Sequence, residues 1–322
     1  MAMTIQAAAR WLSDRDGYLI LTHKRPDGDT LGCAAGLCLA LRALGKTAWI
    51  LPNADATSLF TPYLEGVLAP AGFVPETVLS VDIASEGLFP ENALPYAGKV
   101  ALAIDHHPSN EGFAQNNCVA ADRAACGEII YDIVGQWFPV TREIALPLYV
   151  AVSTDTGCFM YSNTTPNTHR VAAALMETGI DTAWVNKRHF RTKSYTRLRL
   201  EARIMETLEL LDHGQIALAA LSLADLAELN AREEDVEDIA AFVGQLEGVH
   251  TAVTIREMKP GECKLSVRTG ADLNASHVCA LLGGGGHAAA SGCTVMGSIA
   301  DAKQAILGAI RRVQGKNGDG RD

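Results

Sequence analysis

Positive charge is what this sequence has least of. Its 27 Lys and Arg residues stand against 37 Asp and Glu, a formal net charge of −10. A protein that grips long duplex nucleic acid draws on many Lys/Arg contacts to phosphate, so that function class is disfavoured. A small anionic substrate stays open, since it needs only a locally positive or metal-filled pocket. The eight cysteines never occur as CxxC, which argues against a structural zinc site. The opening MAMTIQAAARWLSDRDG lacks a basic region followed by an apolar core, so no export signal is read there. Reduced thiols and a cytoplasmic location are therefore expected. A long stretch free of formal charge, Val278 to Ala300, is broken by glycines and a histidine and is no membrane span. No internal repeat is present. With 48% hydrophobic and 20% charged residues, the chain is not of the disordered class.

What is there reads as two α/β domains. Short apolar runs, YLILT (18–22), TAWIL (47–51), VLSVD (78–82) and VALAID (100–105), alternate with helical segments such as LGCAAGLCLALRALG (31–45). That alternation predicts a mostly parallel sheet flanked by helices. EIALPLYVAVSTD (143–155) is long enough for a buried helix despite Pro147, and NTTPNTHRVAAALMETG predicts a capped helix ending at Gly179. The basic run KRHFRTKSYTRLRLEAR (187–203) is read as the start of a connecting helix that continues through IMETLELL. A second, smaller α/β pattern follows: strand IALAALS, an acidic helical stretch, paired strands TAVTIREM and CKLSVRT, a glycine-rich loop and a closing helix. The expected organisation is a catalytic domain over 1–186, a helical linker over 187–214, a substrate-binding domain over 215–313 and a disordered tail over 314–322.

The acids and histidines fall in a pattern. YLILT is followed by His23, Asp27 and Asp29, VLSV ends in Asp82, ALAI ends in Asp105, His106 and His107, and Asp155 closes LYVAVST. An Asp after one strand is commonly a turn or cap residue. In an open α/β sheet, however, the carboxyl ends of the strands share one rim, so four segments would deliver these groups to one crevice. Asp27, Asp29, Asp82 and Asp155 would repel one another unless cations were present. Four carboxylates with His23 and His106 form an oxygen and nitrogen donor set. It suits two divalent ions, best Mn²⁺, with Mg²⁺, Co²⁺ and Zn²⁺ also compatible. Paired ions about 3.5–4 Å apart serve phosphoester hydrolysis.

HKRPDGD, the VD at 81–82, DHH at 105–107 and STDTGCF at 153–159 resemble the four motifs of the DHH phosphoesterase superfamily. The resemblance implies His23, Asp27 and Asp82 on one metal and Asp29, Asp82, His106 and Asp155 on the other. It places His107 against the scissile phosphate and Asp105 behind the histidines. Farther on, KLSVRTG sets Ser266 and Arg268 on one strand face by alternation. The loop LLGGGGHAAASG (281–292) supplies Gly284, Gly285, Gly286 and His287, and the small residues Ala288 to Gly292 are expected to open a tightly packed helix. These two elements resemble the DHH-associated C-terminal domain, which implies that Ser266, Arg268, the three glycines and His287 contact substrate. The nearest resemblance is to nanoRNases that are also phosphatases of 3′-phosphoadenosine 5′-phosphate. It implies short single-stranded RNA or small nucleotides as substrates; the alternative is a phosphodiesterase of cyclic dinucleotides or of linear pApA and pGpG. Homodimers occur among such proteins, and the sequence leaves the oligomeric state open. Two departures stand out: Gly32-Cys33 where Gly-Ser is common, and no arginine in IASEGLF after Asp82.

Overall fold

The computed structural model describes residues 1–236, 239–270 and 272–318. The chain divides into two compact units, Met1–Thr192 and Lys193–Asp322.

In chain order the first unit comprises α1 (Ile5–Ser13), β1 (Tyr18–Leu21), α2 (Gly28–Ala43), β2 (Ala48–Ile50), α3 (Thr61–Leu64), β3 (Thr77–Val81), β4 (Leu102–Asp105), β5 (Asn116–Val119), α4 (Cys126–Val134), α5 (Arg142–Asp155), α6 (Pro166–Glu177) and α7 (Thr182–Asn186). The strands form one parallel sheet in the order β2-β1-β3-β4-β5. Every residue of β1, β3 and β4 is buried, as expected for strands covered on both faces. Tyr18 and Ile20 face α2, α4 and α5, while Leu19 and Leu21 face Phe89, Ala93 and Val100. That second face is closed by short 3-10 helices at Glu86–Leu88 and Glu91–Tyr96. β5 is an edge strand whose sequence, NNCV, lacks an apolar run, so its place was not legible beforehand.

Helices α2 and α5 approach closely because Gly28, Gly32 and Gly36 repeat every fourth residue along one side of α2. A Cβ on Gly32 would come within 2.3 Å of the Pro147 carbonyl oxygen, and one on Gly36 within 2.6 Å of Leu148. α5 is helical through Pro147, as its length predicts; nine of its residues are buried, which offsets the missing N–H. α6 begins with a reciprocal cap between Thr165 and Thr168 and ends before Gly179, at φ +82°.

The second unit runs α8 (Tyr195–Thr207), β6 (Glu209–Leu211), β7 (Ile216–Leu221), α9 (Leu223–Glu228), α10 (Glu233–Val236), α11 (Ile239–Val243), β8 (Thr251–Lys259), β9 (Glu262–Thr269), α12 (Ala275–Ala280), β10 (Gly285–Gly286), β11 (Ala290–Met296) and α13 (Ile299–Gly318). Its mixed sheet has the order β10-β11-β9-β8-β7-β6, with β7 and β8 parallel. Val253, Ile255, Leu265 and Val267 pack beneath α12 and α13; Ala217, Ala219 and Ala252 face Leu200, Ile204, Ile239 and Val243.

Three expectations are corrected here. The basic run is not one continuous helix: Lys187–Arg191 makes a wide π-type turn, and the chain leaves it in extended form at Thr192. Helix α8 then starts on the Ser194 cap, and Leu200 and Ile204 anchor it to the second sheet. The segment beyond is strand β6, because Asp212, His213 and Gly214 all take positive φ and fold it back onto β7. Ala288 to Gly292 does not open a helix; Ser291 and Cys293 alternate inward on β11, which pairs antiparallel with β9. The tail expected to be disordered from 314 instead continues α13 to Gly318, and residues 319–322 lie outside the described residues.

Candidate metal centre

Strand order reverses between β1 and β3, and in open α/β sheets ligands gather at the carboxyl ends beside such a point. His23 follows β1, Asp82 follows β3, and Asp105, His106 and His107 close and follow β4. Asp27 caps α2, accepting from the N–H groups of Asp29 and Thr30, and Asp155 ends α5.

Each histidine is oriented from behind. His23 Nδ1 lies 2.9 Å from the Lys24 carbonyl oxygen, and His106 Nδ1 lies 3.1 Å from that of Arg123. A carbonyl only accepts, so both Nδ1 atoms carry the proton and both Nε2 atoms face the acids bare. His23 Nε2 is 3.6 Å from Asp27 and 3.8 Å from Asp82 Oδ2. His106 Nε2 is 3.5 Å from Asp82 Oδ1, 3.6 Å from Asp155 and 3.8 Å from Asp29. Donor atoms of His23, Asp27 and Asp82 lie within 4.8 Å of one another, as do those of Asp29, His106 and Asp155. The two oxygens of Asp82 thus point to different clusters.

Electrostatics favour cations here. Asp82 is 3% exposed, and its Oδ1 has no hydrogen-bond partner. Burial, and then the charges of Asp29 and Asp27, push its pKa well above the usual carboxylate range. Asp29 is raised in the same way, by burial and then by Asp155 and Asp27. Its carboxylate still accepts from the N–H groups of Cys126 (2.7 Å) and Gly127 (3.0 Å) at the start of α4, and from the Cys33 thiol at 3.1 Å. The cysteine found where serine is common therefore supplies a donor of its own. Backbone geometry contributes too: Asp82 has φ +59°, a left-handed conformation that costs energy in a non-glycine residue and is tolerated where it aims a functional group.

Asp105 stands behind the cluster rather than in it. Fully buried, it accepts from the backbone N–H of His106 (2.8 Å) and of His107 (3.2 Å), from His107 Nδ1 (2.8 Å) and from Asn110 Nδ2 (2.6 Å). Its hydrogen bond raises the pKa of His107 despite that ring's partial burial. Burial works against Asp105's charge, but the bonds from His107 and Asn110 outweigh it and leave its pKa lowered.

Sequence reasoning missed Asn110, the Arg123 carbonyl and Asn53, whose Nδ2 donates to the carbonyl of His23 at 2.9 Å. Their roles depend on where the backbone turns, and no residue pattern marks that. The basic segment's charge is largely matched locally: Lys193 and Arg197 meet Glu201, Arg203 meets Asp225 and Glu228, and Arg188 bonds the carbonyls of Leu59 and Ser58.

In the second unit, Gly285 pairs with Gly292, which pairs with Ser266, while Ala290 pairs with Arg268. Ser266, Arg268, Gly284, Gly285, Gly286 and His287 thus gather at one end of one sheet. His287 closes the hairpin opposite Ala290, its N–H 2.8 Å from the Ala290 carbonyl oxygen, with Ala288 and Ala289 at the tip. Gly284 is required for packing, since a Cβ would lie 2.2 Å from the Gly292 carbonyl oxygen, whereas Gly285 faces open space.

Residues 18–152 match the DHH family, N-terminal domain, and residues 214–316 match the DHHA1 domain. A bifunctional oligoribonuclease and PAP phosphatase from Thermus thermophilus is 34% identical over 298 residues, covering 91% of this chain and 88% of its own. A cyclic-di-AMP phosphodiesterase from Geobacillus thermodenitrificans is 24% identical over 310 residues but is covered over only 46% of its length. Among solved structures, an exopolyphosphatase-related protein from Bacteroides fragilis has the same fold, with a TM-score of 0.86 over 96% of both chains at 21% identity. With both domains in order and that Thermus relative matched along most of its length, the chain belongs to the DHH phosphoesterase superfamily, in the branch that joins a DHH domain to a DHHA1 domain.

Proposed function

We propose that this hydrolase cleaves very short oligoribonucleotides to 5′-mononucleotides and removes phosphate from 3′-phosphoadenosine 5′-phosphate, the pair of activities named for its Thermus relative. The observation that carries the reading is the full set of six donors arranged about the two oxygens of Asp82. His23, Asp27 and Asp82 would hold one divalent ion, and Asp29, Asp82, His106 and Asp155 the other, with Mn²⁺ best suited to the mixed donors. Two such ions supply an activated water and charge for the phosphate oxygens. His107, whose pKa is raised by its hydrogen bond to Asp105, would donate to a phosphate oxygen or to the departing hydroxyl. In the second unit Arg268 and Ser266 would hold a phosphate remote from the reacting bond, with Gly284, Gly285, Gly286 and His287 beside it; a guanidinium suits a terminal phosphate.

The test is to incubate the purified protein with Mn²⁺, a 2–5-nucleotide RNA and the adenosine bisphosphate. Release of mononucleotides and phosphate is expected, and turnover of neither would overturn the reading. The Geobacillus likeness favours cyclic or linear dinucleotides as the second reading. Relative rates on cyclic di-AMP, pApA and the short RNA separate the two.

A further inference from the structure

Directly after Asp155 the backbone does something uncommon. Gly157, Cys158 and Phe159 have φ of +55°, +56° and +66°, three successive residues in the left-handed region, which L-residues normally visit singly. The turn is held by bonds back into the end of α5: Cys158 N–H to the Ser153 carbonyl at 2.7 Å, and the N–H groups of Met160 and Tyr161 to the Thr156 carbonyl at 2.9 and 3.0 Å. Asn163 ties the far side down, its Nδ2 donating to the carbonyls of Asp155 (3.1 Å) and Ala124 (3.0 Å). The loop is therefore bolted to the metal centre by its backbone.

Large apolar groups end up in solvent there. Met160 is 77% exposed and Tyr161 54%. The Tyr161 ring lies against Gly157, where a Cβ would come within 2.4 Å of the ring carbon Cζ, so glycine is needed for the ring's position as well as for its φ. Alongside, Phe159 stacks on His169 with ring centres 5.4 Å apart and planes 30° apart. Phe159 packs against the core of the unit, but Met160 and Tyr161 bury too little surface to offset two strained non-glycine residues through folding. The strain is explained if the turn exists to present them.

We infer that Tyr161 and Met160, on the left-handed turn after Asp155, form a ledge on which the base of the nucleotide at the metal centre stacks. The inference deepens the proposed function and rests on it for the identity of the substrate. Aromatic stacking tolerates any base, because every base offers a π-face, and an enzyme that consumes mixed short RNAs needs such tolerance. The Tyr161 backbone is joined by one hydrogen bond to the residue next to Asp155, which ties the ledge to the end of α5 that carries that carboxylate. A base beside that carboxylate is the occupant this continuity favours.

The test compares binding of adenosine 5′-monophosphate and of ribose 5-phosphate, which has no base, by calorimetry in the presence of Mn²⁺. Tyr161→Ala is expected to weaken the nucleotide about tenfold while leaving the sugar phosphate unchanged, and Tyr161→Phe to keep wild-type affinity for both. With a dinucleotide RNA the loss should fall on KM rather than kcat, and should vanish with an abasic dinucleotide. An unchanged affinity ratio in Tyr161→Ala would overturn the ledge, as would equal weakening of both ligands. Wild-type protein that turns over neither RNA nor the bisphosphate would instead overturn the proposed function, and the affinity ratio would still decide the ledge.

Discussion

Asp82 combines three unfavourable circumstances: a left-handed backbone, near-complete burial and an oxygen with no hydrogen-bond partner. A cation bound to the carboxylate would offset the burial and the missing partner together. Asp82→Asn should therefore abolish turnover, by about a thousandfold or more, and remove the rise in melting temperature that Mn²⁺ gives the wild type. Without metal the same variant should melt no lower than wild type, because it deletes a buried charge; a clearly lower melting temperature would count against the account. The pH dependence follows in sign. Asp29 and Asp82 have pKa values raised above 3.8, so the folded metal-free protein holds protons that the unfolded chain releases. Its stability falls as pH climbs above that value, and Mn²⁺ should suppress the fall. His189 works in the opposite sense. Buried against Phe60 and Tyr63 and bonded to the Tyr63 hydroxyl at 2.9 Å, it is pushed from 6.5 to about 4, by burial first and then by Arg188. Its contribution is complete above pH 6.5 and is lost as pH falls toward 4. Between pH 7 and 5 this amounts to about 1–2 kcal/mol, allowing for partial exposure. Urea unfolding of His189→Gln should show a correspondingly shallower loss over that interval.

Among the elements, the α2–α5 contact has the tightest tolerance. Gly32→Ala would drive a methyl into the Pro147 carbonyl and should destabilise the protein by about 2 kcal/mol, read from the urea midpoint. Gly308→Ala in α13 meets nothing within 4 Å and should instead stabilise by about 0.5–1 kcal/mol. The same two helices mark how far the sequence could be read. Strands β1, β3 and β4 were legible because buried parallel strands are apolar runs, and the gathering of acids and histidines beyond them because such residues close or closely follow each run. Helix α5 was legible from its length. β5 was not, since an edge strand with one inward residue carries no periodicity. Nor was β11: the string AAASG lacks bulk, and its pairing with β9 is a long-range event. Asn110 and Cys33 escaped because a hydrogen bond to a buried carboxylate has no composition signature.

At the scale of the whole molecule, the acids that make the net charge −10 are not evenly spread in their effect. Four of them converge within the first unit, and there a bound cation should matter most. Hydrogen exchange should slow on adding Mn²⁺ at the amides of Cys126, Gly127, His106 and His107, which donate to Asp29 and Asp105 or flank the ligands, while the amides pairing β8 with β9 stay unchanged. No described helix is long and apolar enough to cross a membrane. The division at Thr192 has one more consequence, which concerns time. The last of the clustered acids and histidines, Asp155, precedes that boundary, so the ribosome has made the whole cluster before it begins the second unit. At ordinary rates of synthesis the remaining residues take on the order of ten seconds. The nascent chain thus has an interval in which the first unit can fold around its ions while the glycine-rich hairpin and Arg268 do not yet exist.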